Sequence, residues 1–291
     1  MITKGIAMRR LVSLLGIGLL ATACTGAGAT GSIPARRYNV ATGADQLVLR
    51  ITTGGGLVPI EYTLTHTPWF ALYGDGLVVT QGPVDAIYPG PLLPNLRQMR
   101  VTPAGIQKIL AAADGAGLLG PDARFDATGI FDAGTTTFTT IVDGETHTIG
   151  AYALGYDVAI ADAALAEARS KLSGFEDELG DLPTFLKRVA GDAAAYDAAA
   201  MRLFARPATS SEQNGQTRQA LAWPLTVDPG TAGEATKTPS TRCLVLTGSD
   251  LQTFIAAAKT ANALTLWTYG TDRYSVLVRP LYPEETGCPA S

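Results

Sequence analysis

The chain has 291 residues, 46% of them hydrophobic and 16% charged, and its 22 Lys and Arg against 26 Asp and Glu give a net charge of −4. That balance excludes a disordered chain, and the lack of any basic cluster excludes a nucleic-acid-binding protein. The length suits one large domain or two small ones.

Residues 1–23 read as a targeting segment. Lys4, Arg9 and Arg10 make a basic start, with no acid before Asp45. The apolar run Leu11–Leu20 suits a signal-peptide core and is too short to span a bilayer, which takes about 20 residues. Met8 offers an alternative start that keeps a basic end, and Arg9-Arg10 hints at the twin-arginine route although its flanks fit that motif poorly. The run closes on Leu20-Ala21-Thr22-Ala23-Cys24, which resembles a bacterial lipobox, with Ala21 where the usual leucine stands and Leu20 one place further back. The expectation is a lipid on Cys24, since two or three acyl chains make an anchor where one binds reversibly. The other reading is an ordinary secretory signal cut near Ala21-Thr22-Ala23. Removing 1–23 takes away three bases and no acids, which leaves 19 bases and a net charge of −7. An acidic chain is repelled by an anionic membrane surface, which favours lipid over electrostatic attachment. The expected address is the extracytoplasmic face of the cell membrane. The expected partners are the membrane itself, through the lipid, and an unknown envelope protein or ligand.

Residues 24–44 read as the lipidated cysteine and a flexible tether of Gly, Ala, Thr and Ser. An N-terminal α+β module is expected over 45–156. In it, Gln46–Thr53 and Ile60–Thr65 read as strands, and Trp69–Thr80 as a hairpin around Gly74-Asp75-Gly76. Residues 82–95 hold Pro83, Pro89, Pro91 and Pro94 and read as a loop. Arg97–Thr102 is a short strand, and Thr102 then caps a helix over Pro103–Ala113 with proline in its first turn. Thr135–Val142 and Thr146–Tyr152 form a hairpin on Asp143-Gly144, a type I′ signal.

A helical connector is expected over 157–195, with helices at Val158–Leu172 and Leu182–Val189 and the acidic stretch Glu176–Asp181 solvated between them. A C-terminal α+β module, 196–291, follows. Ala200–Ala205 reads as a strand, 208–220 as a polar loop, and Leu225–Val227 and Arg242–Leu246 as short strands. Ser249–Lys259 reads as a helix, and Leu264–Tyr269 with Tyr274–Arg279 as a last hairpin. The fold class is α+β, antiparallel sheets with packed helices, as two similar small modules joined by a helical segment. The similarity rests on Val101–Ala113 aligning with Leu246–Ala258 at an offset of 145, with Thr, Gln and three Ala in common. Two Ala-rich capped helices alike by chance are the other explanation.

With Cys24 lipidated, Cys243 and Cys288 remain. In an oxidising compartment they are most simply a disulfide, closing a loop of about 45 residues; two buried free thiols are the alternative. No Cys-x-x-Cys occurs, so there is no thiol-redox or zinc-ribbon signal.

Chemistry-bearing patterns are scarce. Gly26–Gly31 and Gly115–Gly120 both spell the dinucleotide fingerprint, but the first lies in the tether and the second ends a helix, so neither aims helix amides at a phosphate. Gly-x-Ser-x-Gly, Ser-x-x-Lys, His-Glu-x-x-His and phosphate-loop patterns do not occur. Any histidine-based site must use His66 or His147. Alternation puts Asp143, Glu145 and His147 on one face of a hairpin, either as a weak acid–base site or as a solvated face. Asp126 with Asp132 brackets a loop that can hold calcium loosely, and Glu176 with Asp181 is another carboxylate pair; neither has the spacing of a known cation loop. Trp69, Phe70, Tyr73 and Tyr88 fall near the proline loop and form either a binding surface or module core. No cofactor or metal is expected.

Several blocks resemble a known group. Leu49–Gly56, Tyr73–Gly76, Tyr88-Pro89-Gly90-Pro91, Thr135–Phe138, Trp223-Pro224-Leu225 and Arg242-Cys243 look like the recurrent blocks of uncharacterised predicted lipoproteins from high-GC Gram-positive bacteria and their relatives, over most of 45–288. These are turn and strand features, so the resemblance implies a fold family and no catalytic residue. The expected function is a lipid-anchored envelope protein that binds or organises something outside the membrane, more a binding or structural module than an enzyme. The alternatives are an envelope hydrolase using His147 and nearby carboxylates, and a solute-binding receptor with a cleft between the two halves.

Overall fold

The alternation along Gln46–Thr53 becomes strand β1, Leu47–Gly54. In chain order the first half continues through α1 (Ile60–Thr65), β2 (Phe70–Tyr73), β3 (Leu77–Gln81), β4 (Leu96–Arg100), α2 (Pro103–Gly115), β5 (Ala123–Arg124), β6 (Thr135–Val142) and β7 (Glu145–Tyr152). Then come α3 (Ala163–Gly180), α4 (Leu182–Leu186) and β8 (Ala194–Ala195). The second half holds β9 (Ala200–Pro207), β10 (Glu212–Gln213), β11 (Gln216–Thr217), β12 (Ala220–Ala222), β13 (Glu234–Ala235), β14 (Arg242–Thr247), α5 (Gly248–Ala258), β15 (Leu266–Tyr269) and β16 (Asp272–Pro280). This computed structural model describes residues 36–187, 191–208, 210–213 and 215–289. The targeting segment, Cys24 and the tether up to residue 35 lie outside the described residues.

The fold is α+β. One sheet has eight strands in the order β5-β7-β6-β1-β2-β3-β4-β8, the other six in the order β12-β15-β16-β9-β14-β13, and β10-β11 is a separate ribbon. Neighbours are antiparallel except β5 with β7 and β12 with β15. The centre of the first sheet is buried on both faces, which is why Phe70–Tyr73 is continuously apolar and not alternating. Phe70, Leu72 and Val78 face α2, α3 and α4, whereas Ala71, Tyr73 and Val79 face a cluster containing Tyr282. At the sheet's flank, β6 returns to strict alternation, burying Thr136, Phe138, Thr140 and Val142. In the second sheet, Met201, Leu203 and Val278 pack with α5 around Trp223, Phe254 and Trp267, whose rings sit 5.6–5.9 Å apart.

Each half places a strand, a helix and a hairpin in the same order: β4-α2-β6-β7, with the two-residue β5 before the hairpin, and β14-α5-β15-β16. The helices start differently. Thr102 Oγ1 accepts from the Gly105 amide, while Thr247 makes no side-chain cap. The hairpins dock differently too: β6, the first arm, pairs with β1, but β16, the second arm, pairs with β9.

Five local expectations need correction. Ile60–Thr65 is a short helix, not a strand; it follows extended Pro59, carries Glu61 in its first turn and buries no residue. The connector helix starts at Ala163, where Asp162 accepts from the Leu165 amide, and runs through the acidic stretch, because Leu172, Phe175 and Leu179 continue one apolar stripe. Leu225–Val227 has no strand structure; the strand is β12, paired with β15. The polar loop contains the β10-β11 ribbon. Residues 36–44, expected in the tether, pack on the domain. Tyr38 is buried and exchanges hydrogen bonds with Gln107, Asn39 and Asp143 bond through their main and side chains, and the Ala41 carbonyl lies where a Cβ on Gly74 would stand.

The two halves exchange segments. The proline loop leaves the first sheet and places Leu92 in the second core, with Leu92 N donating to Ala261 O and Ala263 N to Gly90 O. In return, the strap 281–288 leaves β16 and lays Tyr282 against the outer face of the first sheet.

Candidate functional site

The strap is the most densely bonded part of the junction. Arg50 in β1 forms an ion pair with Glu284, and Tyr73 donates to the same carboxylate at 2.6 Å. Arg279 at the end of β16 holds Glu285 through two bonds of 2.6 and 2.7 Å and donates from Nε to the His66 carbonyl at 2.8 Å. The Tyr282 amide donates to Glu285, its hydroxyl donates to the Pro68 carbonyl, and Tyr196 donates to the Leu281 carbonyl. Burial raises the hydroxyls of Tyr73, Tyr196 and Tyr282 above the ordinary tyrosine range. Beyond these, Cys288 closes a disulfide to Cys243 in β14, with Cα atoms 6.0 Å apart. The sequence signal for this network is Arg50 within the apolar run of β1, Arg279 at the end of the apolar run Val276–Val278, and the Glu284-Glu285 pair after Pro283.

Beside the strap lies a cleft of about 650 Å³, walled by Leu77, Met99, Tyr196 and Leu281 and rimmed by Asp45, Asp192 and Asp197. Its size is within the range of small-molecule sites. Neither histidine lines it.

The sequence-predicted residues do not converge. Tyr73 is fully buried within the strap network, and Trp69 packs against the first core beside Phe70. Tyr88 alone of that group is exposed. Asp143 sits in the β6-β7 turn at φ 54°, held by the Asn39 amide and Arg36. The amide bond, despite some desolvation, and then Arg36 keep its carboxyl below the usual range. His147 uses Nδ1 on the Gly120 carbonyl at 2.9 Å, and with Glu145 it borders a shallow depression. Asp126 is taken by Arg124 and the Tyr152 amide, and Asp181 caps α4. Among the described residues no three His, Cys, Asp or Glu side chains gather as metal ligands, and no helix is long and apolar enough to cross a membrane.

Glu176, read as part of a solvated stretch, is instead half-buried and bonded to the Trp69 indole. Burial pushes its carboxyl up to about 7, the indole bond partly opposing and Asp177 reinforcing the shift. A raised carboxyl contributes stability that is complete below its unfolded value and is lost as pH rises through about 7. Glu176→Gln is therefore expected to melt like wild type near pH 5 and several degrees higher near pH 8, as read by circular dichroism. An unchanged pH slope contradicts the assignment.

The remaining feature is one end of the eight-stranded sheet. The register sets the C-terminal ends of β1, β3 and β7 beside the N-terminal starts of β2, β4 and β6. Four loops therefore share that end: 55–69, 82–95, 125–134 and 153–162. They carry nine of the ten large apolar side chains exposed among the described residues, led by Phe131 at 87%, Leu57 at 84% and Val84 at 79%. Three of the loops touch. A Cβ on Gly56 would stand 2.6 Å from the Asp132 carbonyl, and the Tyr152 hydroxyl bonds both Ile130 O and Ala133 N. Buried Arg169 fixes two of them from beneath, donating to the carbonyls of Phe125, Tyr152 and Ala153. Arg36 and Asn39 contact Asp143 at the opposite end, so the described chain begins far from these loops.

No family model, curated protein or solved structure matches the chain.

Proposed function

We propose that this is a lipid-anchored extracytoplasmic envelope protein whose folded part binds a partner. The observation that carries the binding reading is the concentration of exposed apolar side chains at one end of the first sheet, opposite the end where Arg36 and Asn39 contact Asp143. Such a concentration on a folded domain marks an interaction site. Support for the address comes from the lipobox-like Leu20–Cys24 and from the resemblance to predicted lipoproteins of high-GC Gram-positive bacteria. In cells, wild type is expected to sediment with membranes and to be released by detergent, and Cys24→Ala to leave the membrane fraction. Release of wild type by high salt alone contradicts the anchor.

A second reading, a receptor for a small solute, is favoured by the 650 Å³ cleft between the halves. A ligand-induced rise in melting temperature that Tyr196→Ala removes supports it.

A further inference from the structure

The four loops at the apolar end contain Glu61, Asp85, Asp126, Asp132, Asp157 and Asp162 and no lysine or arginine. Three of these acids are occupied: Glu61 by Arg206, Asp126 by Arg124 and Asp162 by the Leu165 amide. Asp85, Asp132 and Asp157 are exposed and form no ion pair among the described residues. The loops themselves are thus apolar and acidic, with Arg124 and Arg206 reaching two of the acids from β5 and β9 and three carboxylates left over. We propose that this end docks a protein segment bearing apolar side chains interleaved with lysine or arginine, such as the basic face of an amphipathic helix. This rests on the reading that the loop end is the binding end.

Charge selects this occupant over the others an apolar surface invites. An anionic bilayer would be repelled by the three carboxylates, and two copies meeting loop end to loop end would oppose like charges. A basic segment satisfies both features: its apolar side chains cover Leu57 and Phe131, and its cations meet Asp85, Asp132 and Asp157. Rim charges of this kind act chiefly through the association rate and through salt dependence.

The test uses the full mature chain and two synthetic amphipathic helical peptides of equal apolar content, one Leu/Lys and one Leu/Glu. The Leu/Lys peptide is expected to bind at least about tenfold more tightly, with affinity falling as salt rises. Asp85→Asn/Asp132→Asn/Asp157→Asn should lower that affinity by about tenfold, and Leu57→Ser/Phe131→Ser should abolish it. Both variants should keep the wild-type melting temperature, because the positions are exposed and asparagine tolerates the φ of 59° at Asp132. As a control for net charge, Asp177→Asn/Glu178→Gln/Asp250→Asn should bind like wild type. Equal binding of both peptides, or an equal loss in the control, overturns the proposed partner chemistry while leaving the binding end standing. Unchanged binding by the Leu57/Phe131 variant overturns the binding end itself. Sedimentation with phosphatidylglycerol vesicles that depends on Phe131 overturns the proposal in favour of a membrane surface.

Discussion

Arg279→Met is expected to remove about 3–5 kcal/mol of unfolding free energy, the cost of stranding one partner of a buried ion pair. The side chains of Arg279 and Glu285 are only 10% and 19% exposed. Arg279 supplies two of the three bonds to Glu285, and the same guanidinium ties the strap to the His66 carbonyl of the first half. The double replacement Arg279→Met/Glu285→Leu should recover much of the loss, since apolar substitutes of similar volume often equal a buried pair. The pH dependence follows from Glu285. Burial pushes its carboxyl up, but bonds from Arg279 and the Tyr282 amide, with the Arg279 and Arg202 charges, bring it below its ordinary value. A lowered carboxyl contributes stability that is present above its unfolded value and lost as pH falls through the folded one. Acid should therefore weaken wild type more than the double variant. Denaturant midpoints at constant slope give the measurement. A loss below about 1 kcal/mol for Arg279→Met, typical of an exposed pair, contradicts the buried clamp.

The second large effect belongs to the Cys243–Cys288 bridge, which spans 45 positions. The chain-entropy model assigns a loop of that length about 4 kcal/mol. Cys243 is fully buried on β14 beside Phe204, so Cys243→Ala/Cys288→Ala also leaves the strap held only by its hydrogen bonds and ion pairs and by the packing of Tyr282. Both perturbations act on one segment of eight residues, so adding Arg279→Met to the cysteine variant should cost less than the separate losses combined. Strict additivity would show that bridge and clamp fasten independent structures.

The elements governed by local chemistry were legible in the sequence. Asp143-Gly144 announced the β6-β7 hairpin, and both residues take positive φ there. Thr102-Pro103 announced the start of α2, and the threonine side chain does accept the Gly105 amide. Local signals failed where composition and context disagree. Ile60, Tyr62, Thr63 and Thr65 favour strands by type, yet the segment meets no strand edge and coils after Pro59. Glu176 to Asp181 looked solvated because of their charges, while Phe175 and Leu179 carried the buried stripe of α3 through them. The strap was beyond local reading, because its meaning lies in partners more than 200 positions away: Tyr73 for Glu284, His66 for Arg279. Of the candidate site residues, the Cys243–Cys288 pairing was readable from compartment and parity alone. The apolar end required the register of β1, β2, β3, β4, β6 and β7, since Leu57, Val84 and Phe131 have no periodic relation along the chain.

The proposed anchoring of a folded binding domain at the outer face of the membrane by lipid is tested by the intact mass of the membrane-extracted protein, before and after reduction. The prediction is a chain beginning at Cys24, carrying the mass of a diacylglyceryl group with or without a further acyl chain, and gaining two hydrogens when the Cys243–Cys288 bridge opens. An unlipidated chain recovered from the medium would contradict it and make the protein a diffusible secreted one.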